Sequence, residues 1–209
     1  MQVNRQVFPL CFLTDFAGGE EQLLQFLSAG ISWVQYRDKM SSRRTLYRNA
    51  LRIRTLTREC GAFFIVNDYA DIAVAVDADG LHLGQDDLPI AAARRIAGDK
   101  VIGISTHSRD EALAAAAGGA DYIGFGPVFP TKTKNAGTPK GPEALAEIRR
   151  LVPIPIIAIG GITAGTCSSV LQAGASGVAV AAALSDGPVS QAVNRFLVSL
   201  HDIRPLTFW

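Results

Sequence analysis

The sequence predicts an α/β protein, a single-domain (β/α)8 barrel over residues 1–209. Three observations carry that expectation. Eight short, nearly continuous apolar runs recur along the chain, and such runs mark strands buried on both faces, as in a parallel sheet. Amphipathic stretches alternate with them throughout. Polar and glycine residues gather just past the C-terminal ends of the runs, positions that share one mouth in a barrel. A doubly wound open sheet is the rival, but open sheets seldom need eight parallel strands.

The runs are Leu10–Thr14, Ile31–Tyr36, Phe63–Val66, Gly80–Leu83, Val101–Ser105, Tyr122–Gly126, Ile154–Ile159 and Gly177–Ala181. Between and after them lie Glu20–Ser28, Ser42–Cys60, Tyr69–Val76, Ile90–Ala97, Ser108–Ala117, Pro142–Leu151, Ala164–Ala173 and Ser185–His201, which read as helices. Ser108 with Glu111 forms a capping-box pattern. Pro142 suits a first helical position, and Thr163 an N-cap. Several strand starts look alike: Ala29-Gly30-Ile31, Ala78-Asp79-Gly80, Gly119-Ala120-Asp121-Tyr122 and Gly174-Ala175-Ser176-Gly177. This is a weak internal-repeat signal. No linker or low-complexity tract interrupts the pattern.

Composition narrows the function. Hydrophobic residues make up 48% of the chain, which excludes disorder. A chain of this length buries roughly 70% of its unfolded surface and needs no disulfide or metal staple. The net charge is +1, with no basic stripe for nucleic acid, so any anion site is local. Cys11, Cys60 and Cys167 are odd in number and form no CxxC pair, as expected of free thiols in a reducing cytoplasm that serve as buried packing residues. Met1 to Pro9 has no apolar core of a signal peptide, and no apolar stretch is long enough to span a bilayer.

The chemistry-bearing residues follow the runs. Arg37 and Lys39 lie two apart on a strand extension and read either as a phosphate clamp or as a strand end salt-bridged with Asp38. Asp68 and Asp87 follow neighbouring strands. Each alone reads as a helix cap; as a pair beside two cations they suit one Mg²⁺. The loop Pro127–Gly141 carries Lys132, Lys134 and Lys140 with Gly137 as a hinge, and is either an anion-contacting lid or a solvated loop. Gly160-Gly161 before Thr163, and Ala181-Ala182-Ala183, suit a phosphate held by backbone N–H groups, or simply a tight turn and close packing. His82 lies in a strand, as a barrel-interior residue. His107 lies at the mouth, for acid–base work or to orient the following helix. The histidines show no metal-ligand spacing.

These residues resemble a known family. Val34-Gln35-Tyr36-Arg37-Asp38-Lys39, Val66-Asn67-Asp68, the stretch from Ala78 to Asp87, and Gly103-Ile104-Ser105-Thr106-His107 are similar to motifs of the thiamine phosphate synthases. So are the stretch from Gly119 through Gly124-Phe125-Gly126-Pro127-Val128-Phe129-Pro130-Thr131-Lys132-Thr133-Lys134, and Ala158-Ile159-Gly160-Gly161-Ile162-Thr163. The resemblance runs from about Leu13 to Leu184. It implies a TIM barrel that joins 4-amino-2-methyl-5-pyrimidinylmethyl diphosphate to 4-methyl-5-(2-phosphoethyl)thiazole, or its carboxylate, releasing diphosphate through a pyrimidine cation. It further implies that Gln35, Arg37, Lys39, Asn67 and Lys134 hold the diphosphate, and that Asp68 and Asp87 hold Mg²⁺. Ser105 would touch the pyrimidine or diphosphate, Thr131 and Thr133 the thiazole phosphate, and Gly161 that phosphate through its backbone. Of these, Arg37, Lys39, Lys134 and Ser105 would carry catalysis. The family's usual serine after the eighth strand is missing: Ala181 and Ala182 stand there. A related thiazole tautomerase, using a histidine like His107, and a non-catalytic binder of thiamine precursors are the alternatives. The substrates are small molecules, and the oligomeric state stays open, a homodimer included.

Overall fold

A computed structural model describes residues 5–7, 9–131, 137–201 and 205–208. Eight parallel strands close into a barrel in chain order: β2 (Leu10–Thr14), β3 (Trp33–Tyr36), β4 (Phe63–Asn67), β5 (Gly80–Leu83), β6 (Val101–Thr106), β7 (Tyr122–Phe125), β8 (Ile156–Ile159) and β9 (Gly177–Val180). β9 returns to β2, with Cys11 beside Ala179. The helices are α1 (Gly19–Ser28), α2 (Arg43–Glu59), α3 (Ala70–Ala75), α4 (Ile90–Ala97), α5 (Arg109–Ala117), α6 (Gly141–Leu151), α7 (Ala164–Gln172) and α8 (Val189–Ser199). The predicted (β/α)8 TIM barrel is therefore the fold. Among the described residues, no helix is long and apolar enough to cross a membrane.

The runs are apolar throughout because both strand faces are buried. Phe64 and Val66 of β4 join the core between strands and helices, while Phe63 and Ile65 join a second core inside the barrel. In that lumen, the Trp33 ring meets Phe63 and Tyr122 edge-on, with centroids 6.1 and 5.5 Å apart. These edge-to-face pairings suit aromatic quadrupoles.

Three of the four strand starts that repeat in sequence share one contact. The Phe64 N–H donates to Asp79 Oδ2 at 2.8 Å, and the Ile102 N–H to Asp121 Oδ2 at 2.7 Å. The Ile156 N–H donates to Ser176 Oγ at 3.3 Å. Each side chain thus satisfies the backbone of the preceding strand. Asp79 also takes both terminal nitrogens of Arg54, at 2.9 and 3.3 Å, with side-chain exposures of 10% and 7%.

Some boundaries differ from the sequence reading. The last helix does not start at Ser185. A 3-10 turn, Ala182–Leu184, is followed by Gly187 at φ +86° and by Pro188, and α8 begins only at Val189. A positive φ at Gly187 cannot continue a right-handed helix, and Pro188 then caps the new one. β8 starts at Ile156 rather than Ile154, after Pro155, which has no N–H to give a ladder. β3 starts at Trp33 rather than Ile31. The capping box at Ser108 is half made. Ser108 Oγ accepts from the Glu111 N–H, but the Glu111 carboxylate passes over Ser108 and accepts from the His107 N–H. At Thr163 both halves form, with Thr166 as the partner. Cys11 and Cys167 are buried as expected, but Cys60 is exposed because it caps α2 at its C-terminus.

One pairing was not foreseen. β1 (Arg5–Val7) and β10 (Leu206–Phe208) form an antiparallel two-stranded sheet, and Leu206 joins the lumen core. Three-residue strands at opposite ends of a chain leave no periodicity to read.

The Arg54–Asp79 pair generates a stability prediction. Asp79→Ala leaves a buried guanidinium without its carboxylate and the Phe64 N–H without its acceptor, and should cost about 3–5 kcal/mol. Urea unfolding measures it. A loss below about 1 kcal/mol, the range of an exposed pair, would contradict the reading.

Candidate active site

The C-terminal ends of the strands bring most of the predicted residues to one mouth. Gln35 and Asn67 are buried near the ends of β3 and β4, Ser105 is half-buried on β6, and Arg37 and Lys39 are exposed just past β3. Asp68 follows β4, and Asp87 follows β5. Gly161 is half-buried past β8, and Ala181 and Ala182 are exposed past β9. Thr131 is half-buried in the loop after β7. Thr133 and Lys134, with Lys132, lie outside the described residues.

The local geometry decides several alternatives. Asp38 does not pair with Arg37. Its Oδ1 accepts from the Met40 and Ser41 N–H groups, and its Oδ2 from the Tyr36 hydroxyl. Arg37 reaches the mouth, and its positive charge is felt at His82. Neither aspartate caps a helix. Tyr69 precedes α3 and Pro89 precedes α4, both without a side-chain cap, and Asp87 turns back to accept from the Gly84 N–H at 2.6 Å.

Asp68 is the most constrained of these groups. Its backbone is left-handed, at φ +65°, a region that Asp tolerates better than most residues but that still carries strain. Its N–H donates to the His82 carbonyl at 2.8 Å, and its carboxylate accepts from the Asn67 amide. Lys39 Nζ stands 3.4 Å from Asp68 Oδ2. Burial raises the Asp68 pKa, and the facing Asp87 carboxyl raises it further, against the pull of Lys39. Two facing carboxyls that crowd each other's charge, with oxygen donors only, fit a hard divalent cation such as Mg²⁺.

Below the mouth, a cavity of about 30 Å³ opens into the lumen between Trp33, Gln35, His82, Ser105, Tyr122, Gly124 and Ile159. His82 is the barrel-interior residue expected. Its Nδ1 lies 2.9 Å from the Tyr122 hydroxyl and its Nε2 2.8 Å from Ser105 Oγ. Burial is the main cause of its pKa being lowered to about 4. Gln85, which the sequence reading passed over as a loop residue, donates its amide to the Ser105 carbonyl at 2.6 Å and ties the β5 and β6 ends together. Tyr122, on β7, adds a polar hydroxyl to the lumen. The signal for its polar role is the glycine on the neighbouring strand: a Cβ at Gly103 would lie 2.1 Å from Tyr122 Cζ.

The loop after β7 is anchored at both ends. The Val128 and Phe129 N–H groups donate to the carbonyls of Ile159 and Gly160, and the Lys140 and Gly141 N–H groups to those of Pro127 and Val128. Gly160 and Gly161 have positive φ, and a Cβ on Gly161 would meet the Pro130 carbonyl at 2.4 Å. The absence of a Cβ at both positions thus lets the two loops pack closely. His107 is half-exposed, and its Nδ1 lies 3.2 Å from Glu111 Oε2, which orients it at the start of α5.

Residues 11–184 match the family model described as thiamine monophosphate synthase. The chain belongs to the thiamine monophosphate synthase family. It is 51% identical over 156 residues to the thiamine-phosphate synthase of Chloroflexus aurantiacus, covering 74% of this chain and 72% of that one. It is 47% identical over 194 residues to the thiamine-phosphate synthase of Chlorobium limicola, covering 91% and 92%. A solved thiamine phosphate pyrophosphorylase from Pyrococcus furiosus superposes with a TM-score of 0.85 at 38% identity, over 93% of this chain and 96% of that one.

The Asp68–Asp87 contact sets a pH dependence. A carboxyl whose pKa is higher folded than unfolded binds more protons in the folded chain, so stability falls as pH rises from the ordinary aspartate range through the raised value. With a chelator present, Asp68→Asn should flatten that part of the profile, and Asn also tolerates the left-handed backbone. The urea midpoint followed against pH checks this. An identical fall in the variant would remove Asp68 as its source.

Proposed function

We propose that this chain catalyses thiamine phosphate synthesis, joining 4-amino-2-methyl-5-pyrimidinylmethyl diphosphate to the thiazole phosphate, or its carboxylate, and releasing diphosphate. The observation that carries the reading is the crowded Asp68–Asp87 pair, with Lys39 and Arg37 beside it, over a lumen cavity lined by Gln35 and Ser105. That arrangement sets a charged platform for a leaving diphosphate above buried amide and hydroxyl groups that can meet a polar ring.

Asp68 and Asp87 would hold Mg²⁺, whose chemistry is to neutralise charge on the diphosphate as its bond to carbon breaks. Arg37, Lys39 and Asn67, joined by Lys134, hold the same group with charged and amide N–H donors. Gln35 and Ser105 orient the pyrimidine. Its electron-rich ring stabilises the cation left behind, and the thiazole nitrogen attacks that cation. Thr131, Thr133 and the backbone at Gly161, Ala181 and Ala182 receive the thiazole phosphate. The mechanism asks little acid–base work of the protein, in keeping with a neutral, buried His82 and a His107 tied to Glu111.

Incubation with both precursors and Mg²⁺ should yield thiamine phosphate, read by mass spectrometry. Asp68→Asn, Asp87→Asn and EDTA should each lower the rate by orders of magnitude; full activity in all three would remove the metal. A binder without catalysis gives no product at all. Lys134→Ala should harm product formation more than His107→Gln. The opposite order, with isomerisation of a thiazole carboxylate when the pyrimidine is omitted, would indicate a tautomerase.

The missing serine makes a further prediction. A hydroxyl bonded to a charged phosphate contributes roughly 1.5–3 kcal/mol. The thiazole phosphate lies away from the bond being made, so the contact acts on ground state and transition state alike. Ala182→Ser should lower KM for the thiazole phosphate several-fold and leave kcat nearly unchanged. An unchanged KM would place Ala182 away from that phosphate.

A further inference from the structure

We propose that Asp38 is a positioning residue: it sets the turn after β3 so that Arg37 and Lys39 face the mouth. This rests on the reading that those two cations hold the diphosphate. A carboxylate stands between them in the chain. There it would weaken the hold on another anion unless its charge is turned away.

Side chains alternate along an extended chain. Gln35 lines the lumen cavity, whereas Tyr36 lies in the core between strands and helices. The same alternation puts Arg37 and Lys39 with Gln35, and Asp38 with Tyr36. Arg37 and Lys39 are exposed, and Asp38 between them is half-buried. The hydrogen bonds agree. The Arg37 N–H donates to the Thr14 carbonyl at 2.8 Å, so β2 keeps the chain extended one residue past β3. Lys39 Nζ comes within 3.4 Å of Asp68 Oδ2 at the mouth. Asp38 Oδ2 instead accepts from the hydroxyl of buried Tyr36 at 3.3 Å. That hydroxyl accepts in turn from the Asn49 amide of α2, also at 3.3 Å. The Asp38 carboxylate is thus anchored toward the helix layer.

Its other oxygen places the turn. Asp38 Oδ1 accepts from the Met40 N–H at 2.9 Å and the Ser41 N–H at 3.0 Å, the way an aspartate side chain starts a turn. The extended chain therefore ends at Lys39, and α2 opens soon after on the Ser42 cap. Without that acceptor the turn has no fixed start, and a slip of one residue carries Lys39 to the helix side. One carboxylate thus sets the facing of both neighbours, and its own charge is spent on three donors away from the diphosphate.

Binding of inorganic diphosphate, followed by titration calorimetry with and without Mg²⁺, tests this without turnover. Asp38→Ala should raise the Kd about tenfold, the weight of a hydrogen bond to a charged group. Asp38→Asn keeps an oxygen for the Met40 and Ser41 N–H groups and should stay within about twofold of wild type. Tyr36→Phe, which removes only the hydroxyl, should weaken binding about threefold. In kinetics, Asp38→Ala should raise KM for the pyrimidine diphosphate and leave KM for the thiazole phosphate unchanged. A carboxylate that acted only by its charge would give the reverse, with tighter diphosphate binding in both Asp38 variants. That outcome would overturn the proposal. So would unchanged affinity in Asp38→Ala, an equal loss in Asp38→Ala and Asp38→Asn, or an equal rise in the two KM values. If Asp38→Ala does not fold, Tyr36→Phe decides, and wild-type affinity in it would overturn the proposal as well. A wild-type chain that binds diphosphate yet makes no thiamine phosphate would fail the functional reading alone.

Discussion

Every backbone N–H in a closed barrel has to find an acceptor, and the bottom rim is where the ladder alone does not supply them. Here the first residues of β5, β7 and β9 are each preceded by a short polar side chain, Asp79, Asp121 or Ser176, which accepts from the N–H of the strand before. The same residues return their own N–H groups to the carbonyls of Phe64, Ile102 and Ile156. Each junction is thus a reciprocal pair that fixes the stagger between two strands. Arg54 and Arg94 then neutralise the two carboxylates from the helix layer. Since stagger sets which residues face inward, the lumen and the mouth both depend on these rim contacts.

With the bottom satisfied in this way, the mouth is free to hold what a stable core avoids. Asp68 is left-handed and crowds Asp87, Gln35 and Asn67 are buried amides, and Gly160 and Gly161 bring two loops within contact distance. A ligand that supplies positive charge between the aspartates relieves the repulsion, so binding draws on an unfavourable interaction already present in the fold. Lys39 occupies an intermediate position. It pairs with Asp68, yet its side chain is still largely exposed.

The barrel was legible because its strands are buried on both faces and three of its helices open on a capping Ser or Thr, at Ser42, Ser108 and Thr163, so periodicity and punctuation agreed along the chain. The rim aspartates were visible as a weak repeat, but their partners were not, since a hydrogen bond from Phe64 to Asp79 leaves no trace in spacing. The pairing of Asp68 with Asp87 could be named because both residues follow strands that neighbour each other in chain order. The Tyr122–His82–Ser105 chain could not be read, because three strands contribute one residue each and only the lumen brings them together. The terminal helix was misplaced for a local reason: alanines from 181 to 183 favour a helix, and Gly187 with Pro188 interrupts it.

The antiparallel pairing of Arg5–Val7 with Leu206–Phe208 has a kinetic consequence. Its two strands are separated by nearly the whole chain, as are β2 and β9, whose pairing closes the ring. Contacts this distant in sequence carry a large loop-closure cost and form slowly. During synthesis, the lumen residues Trp33, Phe63 and Tyr122 emerge long before Leu206, which packs with them from the floor of the barrel. A nascent chain held before Leu206 therefore lacks one of the packing partners of that aromatic cluster, and the surface left uncovered is open to chaperones and to other nascent chains.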